Sequence, residues 1–358
     1  MAYTVTVPLV GGGTRKRVIV DDNNNVDVDE IRVETINVVS KFQGDTAGFV
    51  TAHSRPASPG SPAGGIFEKQ IEKFPFANES ISTDVGDFHT AVVGHSGNSS
   101  NTHGYMSGGG PPAVNNIQKF SMSSTGNATD VGDLTESRET TGISNVSAAG
   151  YNAGGITSPY TYMPPLNTID KFPFSSDTNA TDVGDLTLSR QGPSTGISSP
   201  TNGYMASGGR VPNPSPPPST IPSTNVIDKF PFATDEDATD VGDLTESLAS
   251  NHQLSSLTNG YVIGGTYYPS TPPSFNSYFK IEKFPFATDE NSQVVTDLTP
   301  NTHVSYGASV SSFEGGYAVA HNQNYKFLFA SEANLAVVST YVDVNGYDKE
   351  GDLAGHQI

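Results

Sequence analysis

The sequence contains no cysteine and no tryptophan among its 358 residues. Without cysteine the chain can form no disulfide framework, no thiolate zinc site, no iron–sulfur cluster and no cysteine nucleophile. Basic residues are also scarce: 18 lysines and arginines stand against 37 aspartates and glutamates, which gives a formal net charge of −19. A nucleic-acid-binding surface needs Lys and Arg to contact phosphates, so no nucleic-acid partner is expected.

Long hydrophobic runs are missing as well. No apolar run approaches the ~18 residues of a membrane-spanning helix, so we expect no membrane span. The basic cluster Arg15-Lys16-Arg17 follows the first apolar stretch, whereas a secretory signal carries its basic residues before the apolar stretch. These features predict a soluble, acidic chain that is made without a signal peptide.

The chain does contain internal repeats of three elements. The first is Ile-x-Lys-Phe-x-Phe, which is degenerate in its second and sixth copies. Its Lys-Phe pairs are Lys73 and Phe74, Lys119 and Phe120, Lys171 and Phe172, Lys229 and Phe230, Lys283 and Phe284, and Lys326 and Phe327. The second is Gly followed by an aromatic residue, and its glycine pairs are Gly108 and Gly109, Gly154 and Gly155, Gly208 and Gly209, and Gly264 and Gly265. The third is Thr-Asp-Val-Gly-Asp, which begins at Thr83, Thr129, Thr181 and Thr239. We predict that all of these residues are structural.

The spacing of the elements divides each repeat into a fixed half and a variable half. From the Lys-Phe phenylalanine to the next Gly-aromatic ring the distance is 31 to 33 residues, as in Phe74 to Tyr105 (105 − 74 = 31). From that ring to the next Lys-Phe element it varies between 10 and 26 residues. A constant length indicates packed strands, and a variable, proline-rich length indicates surface loops, where insertions cost little.

Each repeat of about 50 residues contains three to four short strands, which is the pattern of a β-propeller blade. The fold class predicted is therefore all-β, a six-bladed propeller over residues 46–358; a β-solenoid is the rival. In this interpretation Asp240-Val-Gly-Asp-Leu244 is a turn. The C-terminal segment, including Leu335 to Val342, completes the blade that opens near Gly48, so pairing of the terminal strands closes the ring. The alternative is an open array with capping repeats.

Residues 1–45 lie outside the repeats and alternate apolar and polar residues over 3–9, 17–20 and 26–39, as half-buried strands do. Two interpretations stay open. The segment is either an arm that anchors the propeller to other proteins or a set of strands that extends the first blade.

The repeats resemble the kelch family of propellers. Tyr105-Met-Ser-Gly-Gly109, Tyr151-Asn-Ala-Gly-Gly155 and Tyr261-Val-Ile-Gly-Gly265 carry this resemblance, although the kelch tryptophan is absent. The repeated sequence Ile-Asp-Lys-Phe-Pro-Phe-Ala-Thr-Asp also resembles repeats in structural proteins of marine bacteriophages, notably cyanophages. That resemblance implies a virion protein, made in the host cytoplasm, that serves as a tail fibre, spike or capsid decoration.

The repeated aspartates suggest two possible roles. Calcium takes six to eight oxygen ligands, and clustered aspartates in turns supply them. Asp beside Gly more commonly hydrogen-bonds its own backbone, and we favour this structural role, with no bound cofactor. The calcium candidates are Asp84, Asp87, Asp130, Asp133, Asp182, Asp185, Asp240 and Asp243.

The sequence contains few features that are typical of an enzyme. It contains no Gly-x-Ser-x-Gly elbow, no His-Glu-x-x-His motif and no phosphate loop. His53 and His321 each lie four residues after a Gly-aromatic ring, so a metal pair in neighbouring blades is conceivable, but surface histidines are the better interpretation. We expect no catalytic residues.

The function predicted is a non-enzymatic virion module that mediates host attachment. Its variable loops leave the same strand end in every repeat and so share one face, which would bind a host surface glycan or a neighbouring virion protein. Residues 1–45 would contact other virion proteins, and a homo-oligomer is possible. The alternatives are a capsid-decorating protein without a receptor role and a carbohydrate-active enzyme. Aromatic rings bury area at low entropic cost, and the candidate contact residues are Tyr160, Tyr162, Tyr267, Tyr268, Phe275 and Tyr278.

Overall fold

The structure is a computed structural model, and its chain divides into two compact units, Met1–Lys41 and Phe42–Ile358. It describes residues 4–8, 14–18, 44, 46–51, 54–55, 66–67, 69–79, 82–92, 94–110, 112–157, 165–209, 223–267, 276–298, 304, 307–320, 323–333, 335–340 and 354–357. In the first unit, Thr4–Pro8 and Thr14–Val18 pair as an antiparallel hairpin. The second strand begins earlier than the pattern predicted, and the strand predicted over 26–39 lies outside the described residues.

The second unit is a six-bladed β-propeller, which confirms the predicted fold class, and each blade is a four-stranded antiparallel sheet. Within each blade the first strand named is the inner one, nearest the axis, and the last is the outer one. Blade 1 contains Ala354–Gln357, Ala47–Thr51, Gln70–Pro75 and Thr83–Asp87. Blade 2 contains Ser96–Ser99, His103–Ser107, Asn116–Ser121 and Thr129–Asp133. Blade 3 contains Glu139–Asn145, Ala149–Ile156, Leu166–Pro173 and Thr181–Asp185.

The other three blades follow the same order. Blade 4 contains Ile197–Ser198, Asn202–Gly209, Ser223–Pro231 and Thr239–Leu248. Blade 5 contains His252–Ser255, Asn259–Ile263, Lys280–Pro285 and Gln293–Asp297. Blade 6 contains Ala308–Ser311, Gly315–Ala320, Gln323–Leu328 and Ala336–Thr340. The described residues include no helix, and hence none that is long and apolar enough to cross a membrane.

The ring is closed by strands from the two ends of the second unit. Ala354–Gln357 pairs with Ala47–Thr51 as the inner strand of blade 1. The inner strands of neighbouring blades then contact one another in an unbroken series around the axis. The expectation that the segment from Leu335 completes blade 1 was wrong, because Ala336–Thr340 pairs with Gln323–Leu328 as the outer strand of blade 6. The closing strand lies further along the chain.

The Gly-aromatic and Lys-Phe elements pack directly on each other. In blade 3 Gly150 is paired with Phe172 across the second and third strands, and a Cβ on Gly150 would lie 2.4 Å from the Cζ of Phe172. The phenylalanine ring therefore occupies the space above a glycine that has no side chain. Four further blades repeat this contact, at Gly48 with Phe74, Gly104 with Phe120, Gly203 with Phe230 and Gly260 with Phe284.

In five of the six blades the second aromatic ring of Phe-x-Phe joins the blade to the one before it; blade 2 has Met122 at this position. Phe232 of blade 4 stacks on Tyr151 of blade 3 with ring centroids 5.1 Å apart. Phe76 of blade 1 stacks on Tyr317 of blade 6 at 4.9 Å, so the series of stacked rings runs across the point of closure. The same pairs form at Phe174 with Tyr105, Phe286 with Tyr204, and Phe329 with Tyr261.

The repeated lysines pair with acids of the next blade. Their ammonium groups lie 2.5 to 2.7 Å from carboxylate oxygens in the pairs Lys119 with Asp177, Lys171 with Asp235, Lys229 with Asp289, and Lys283 with Glu332, and Lys326 pairs with Glu79. At the junction of blades 1 and 2, Lys73 instead donates to the carbonyl of Met122 at 3.3 Å. Thr125 holds the sequence position that Asp177 holds one repeat later.

The Thr-Asp-Val-Gly-Asp elements are strands, and the expectation of a turn was wrong. They form the outer strands of blades 1 to 4, with a register shift opposite the Ile-x-Lys-Phe strand. Gly184 adopts a φ of +153°, and a Cβ there would lie 2.7 Å from the carbonyl oxygen of Glu236 in the next blade. This close approach of backbones explains the glycine at the centre of the element.

The glycine pairs end the second strands at positive φ in blades 2, 3 and 5. In blade 4 the equivalent positions, counted from Tyr204, are Ser207 at φ +66° and Gly208 at φ +136°. The assignment of Gly208 and Gly209 as the pair was therefore displaced by one residue. Ser207 takes a conformation that glycine adopts more easily, and the side chain of Asn251 donates a hydrogen bond to its hydroxyl.

Candidate functional site

The candidate site is a cavity between blades 4 and 5. It lies at the end of the propeller where each second strand connects to the third strand, which we call the loop end. Its volume is about 330 Å³, and it is lined by Glu246, Tyr267, Ser277, Tyr278, Phe279, Lys280, Asp297 and Leu298. That volume falls within the roughly 300–1,000 Å³ of small-molecule sites, which are concave and rich in apolar and aromatic groups.

A short ribbon in the loop of blade 5 holds Tyr267 on the cavity wall. Thr266–Tyr267 pairs with Asn276–Ser277. Thr266 exchanges two backbone hydrogen bonds of 2.8 and 2.9 Å with Ala249, which follows the outer strand of blade 4. The ribbon is thus tied to the body of the propeller, and Tyr267 is half-buried.

Tyr278 forms the floor of the cavity and also supports the fold. The side chain is only 5% exposed. Its hydroxyl donates to the buried carboxylate of Glu282 and lies 2.7 Å from the hydroxyl of Thr245. Burial, and next the hydrogen bond to Glu282, raise the pKa of Tyr278 above its ordinary value. The phenol therefore stays neutral and acts as a fixed donor inside the protein.

The equivalent support in blades 3 and 4 comes from arginine. Arg138 lies 3.1 Å from Asp170 and Arg190 lies 2.9 Å from Asp228, and all four side chains are fully buried. Ahead of blade 5, at the end of the outer strand of blade 4, Leu248 stands at the arginine position of the repeat, and Tyr278 contacts the acid of blade 5, Glu282, instead. The group that contacts the buried acid of blade 5 in place of an arginine is therefore the phenol of Tyr278, which also lines the cavity.

The polar rim of the cavity carries more negative than positive charge. Glu246, in the outer strand of blade 4, and Asp297, at the end of the outer strand of blade 5, are both exposed. Lys280 is the cation of the lining, and its ammonium nitrogen lies 5.7 Å from the centre of the Tyr278 ring. Two carboxylates thus face one ammonium group that already contacts an aromatic face.

Of the six predicted contact residues, the structure brings Tyr267 and Tyr278 together in this cavity. Tyr160, Tyr162, Tyr268 and Phe275 lie outside the described residues, as do His53 and His321. Sequence reasoning did not single out Glu246, Lys280 or Asp297. Glu246 and Asp297 belong to the repeated outer strand, and nothing in their spacing distinguishes them from their copies in other blades.

The first aspartate of each Asp-Val-Gly-Asp element hydrogen-bonds its own strand. Its carboxylate accepts from the backbone N–H two residues later, in the pairs Asp84 with Gly86, Asp130 with Gly132, Asp182 with Gly184, and Asp240 with Gly242, at 3.0 to 3.3 Å. At the second aspartate, the backbone N–H of Asp87, Asp133, Asp185 or Asp243 donates to an Asn or Asp side chain of the next blade. Within the described ranges, no three His, Asp or Glu side chains are grouped to hold a metal ion.

A second, smaller cavity of about 50 Å³ lies on the axis of the propeller and is lined by inner-strand serines. The N–H of Ser99 donates to the hydroxyl of Ser144 at 2.9 Å, and the equivalent bonds through Ser198, Ser255 and Ser311 continue the series from blade 3 to blade 6. Thr195 crosses the axis, with its hydroxyl 2.6 Å from that of Ser309. The cavity is far smaller than the roughly 300 Å³ of a ligand site, and its hydrogen bonds join the inner strands.

The serine series was missed by sequence reasoning, although a signal for it exists. A Ser-Ser pair stands five residues before the Gly-aromatic glycine in four repeats, beginning at Ser99, Ser198, Ser255 and Ser311. The second serine caps the turn to the next strand: the hydroxyl of Ser256 accepts from the N–H of Asn259 at 2.9 Å. Serine is so frequent in this chain that the pairs did not stand out.

Comparison with known proteins adds no family to these observations. The chain matches no protein-family model and no curated protein sequence.

Proposed function

We propose that this protein is a non-enzymatic binding and structural module whose loop end binds a glycan on a host surface. The observation that carries the proposal is the 330 Å³ cavity, in which the aromatic walls of Tyr267 and Phe279 stand beside exposed carboxylates. Flat aromatic rings offer contact area to the apolar face of a sugar, and carboxylates accept hydrogen bonds from its hydroxyl groups.

The rigidity of the propeller supports this role. Stacked rings, lysine–acid pairs and the serine series join neighbouring blades, so the cavity walls stand on a framework with little freedom to move. A preformed site loses less conformational entropy on binding than a flexible one.

The resemblance of the repeats to bacteriophage structural proteins supports a place in a virion, as a tail fibre, spike or other appendage. The glycine pairs carry the resemblance to kelch repeats. The structure is a propeller, and this architecture is common to several families. The proposed place in a virion rests on the sequence of the repeats alone.

A capsid-decorating role is the second candidate, and a specific observation favours it. At the end of the propeller opposite the loop end, Leu257 and Phe313 in the turns of blades 5 and 6 and Leu328 of blade 6 are 37%, 47% and 43% exposed. Exposed apolar side chains in neighbouring blades suit contact with another protein.

The two roles are separated by paired variants. We expect Tyr267→Ala to lower binding to host cells or to a glycan array at least tenfold, because it removes an aromatic wall of the cavity. Phe313→Ala, an aromatic truncation at the opposite end of the propeller, should leave that binding unchanged. The reverse result, loss of particle association with Phe313→Ala alone, would favour the decorating role.

Tyr278 is unsuitable for this test, because its truncation would remove one of the donors to the buried carboxylate of Glu282 and open a void in the fold. A hydrolase assay on the bound glycan tests the non-enzymatic part of the proposal, and turnover there would contradict it.

A further inference from the structure

We infer that the cavity of blades 4 and 5 selects sugar units that carry no negative charge. The inference rests on the proposed glycan-binding function and adds the charge class of the ligand. It follows from the three charged groups on the rim and from their positions relative to the aromatic walls.

The apolar part of the cavity fixes where a sugar ring lies. Tyr278 and Leu298 are buried and form the floor, whereas Tyr267 and Phe279 are half-buried walls. A sugar that places its C–H face on these rings turns its hydroxyl groups toward the exposed rim.

The rim then meets those hydroxyl groups with acceptors. The carboxylates of Glu246 and Asp297 accept hydrogen bonds, and such charge-assisted bonds are stronger than neutral ones. A uronate, sialate or sulfate group at the same place would meet like charge. Two carboxylates at about 7 Å, in surroundings close to water, would weaken the binding of an anionic sugar about tenfold in dilute salt.

Lys280 does not reverse this preference. It is a single cation beside two carboxylates, and its ammonium lies against the face of the Tyr278 ring. The formal net charge of the chain, −19, has the same sign as the rim. Negative charge at a rim discriminates against anionic ligands through repulsion as well as through the contacts it makes with neutral ones.

The test compares probes of matched length by titration calorimetry with the full-length protein. Maltotriose and triacetylchitotriose are neutral, and trigalacturonate carries three carboxylates. At about 50 mM salt, where screening is modest, we expect a neutral trimer to bind at least tenfold more tightly than trigalacturonate. The difference should shrink as salt is added.

A double variant, Glu246→Gln with Asp297→Asn, removes the rim charge while keeping side chains of similar size. We expect weaker binding of the neutral trimer, tighter binding of trigalacturonate, and a preference reduced about tenfold. Glu136→Gln is the matched control, because Glu136 occupies the position of Glu246 two repeats earlier and does not line the cavity. Equal urea midpoints of all variants would show that the fold is intact.

The outcomes separate the inference from the proposed function. If trigalacturonate binds as tightly as the neutral trimers and Tyr267→Ala abolishes its binding, the charge selection is wrong and the glycan-binding function stands. If the double variant leaves the preference unchanged while Tyr267→Ala abolishes binding, the rim carboxylates do not set it and the inference is again wrong. If no glycan of a broad array binds, the proposed function itself fails.

Discussion

The buried ion pair of blade 4 gives the sharpest test of what holds the propeller together. Arg190 and Asp228 are fully buried and 2.9 Å apart. The Arg190 guanidinium also donates to the carbonyl of Met205 at 2.8 Å, and the carboxylate accepts from the N–H and hydroxyl of Thr187 at 3.0 and 2.6 Å. The pair thus connects the third strand of blade 4 to the segment that precedes its inner strand.

Replacing the arginine alone would leave a buried carboxylate without its counter-charge. Removal of one partner of a buried pair costs about 3–5 kcal/mol, and the freed carbonyl of Met205 adds about 1 kcal/mol. We therefore expect Arg190→Met to lower the free energy of unfolding by about 5 kcal/mol. Asp228→Asn added to this variant keeps an acceptor for Thr187 and removes the charge, so about half of the loss should return.

The assay is urea unfolding followed by far-ultraviolet circular dichroism and tyrosine fluorescence, since the chain contains no tryptophan. A cycle of the two single variants and the double variant isolates the coupling. Since Asp228→Asn alone also leaves a buried charge unpaired, we expect a coupling of at least about 3 kcal/mol. Blade 5 offers a natural precedent, because Leu248 stands at the arginine position there. A loss below about 1 kcal/mol for Arg190→Met, or purely additive effects in the double variant, would refute the reasoning.

Two further predictions concern the junctions between blades and the buried tyrosines. Thr125→Asp should supply the acid that Lys73 lacks and raise the free energy of unfolding by about 0.2–1 kcal/mol at low salt. The gain should vanish in 1 M salt and in a Lys73→Met background. A gain that survives either change would contradict the assignment of this pair. Burial raises the pKa of Tyr204 to about 12, above the ordinary value near 10 of an unfolded chain. The stability that its neutral phenol contributes is therefore present below pH 10 and is lost as the pH rises toward 12. Tyr204→Phe should therefore lose less stability than the wild type between pH 10 and 11.5, as urea midpoints would show, and an unchanged alkaline slope would count against it.

The repeat elements could be assigned structural roles from sequence because they encode contacts that recur in nearly every blade. Gly150 and Phe172 are one example: the glycine is required by the ring that covers it, and that requirement recurs in five blades. The constant spacing followed from the same cause, since a residue inserted between packed strands would displace every later contact. The six blades and the location of the variable loops were predictable for this reason.

The closing strand was not predictable in the same way. Ala354–Gln357 carries no Ser-Ser pair, unlike the inner strands of blades 2, 4, 5 and 6, and it is recognised only by its pairing with Ala47–Thr51. The earlier segment, Ala336–Thr340, is more apolar and looked like the better candidate. It serves instead as an outer strand, where Val337 is 53% exposed.

The sequence by itself determined the repeat, the number of blades and the residues that form the core, because these depend on local patterns repeated along the chain. Tertiary structure alone decided the candidate site. At the cavity Tyr278 contacts the buried acid that arginine contacts in blades 3 and 4, and Glu246 and Asp297, 51 residues apart, come to the same rim. Such a juxtaposition depends on how two blades meet in space, and no local pattern encodes it.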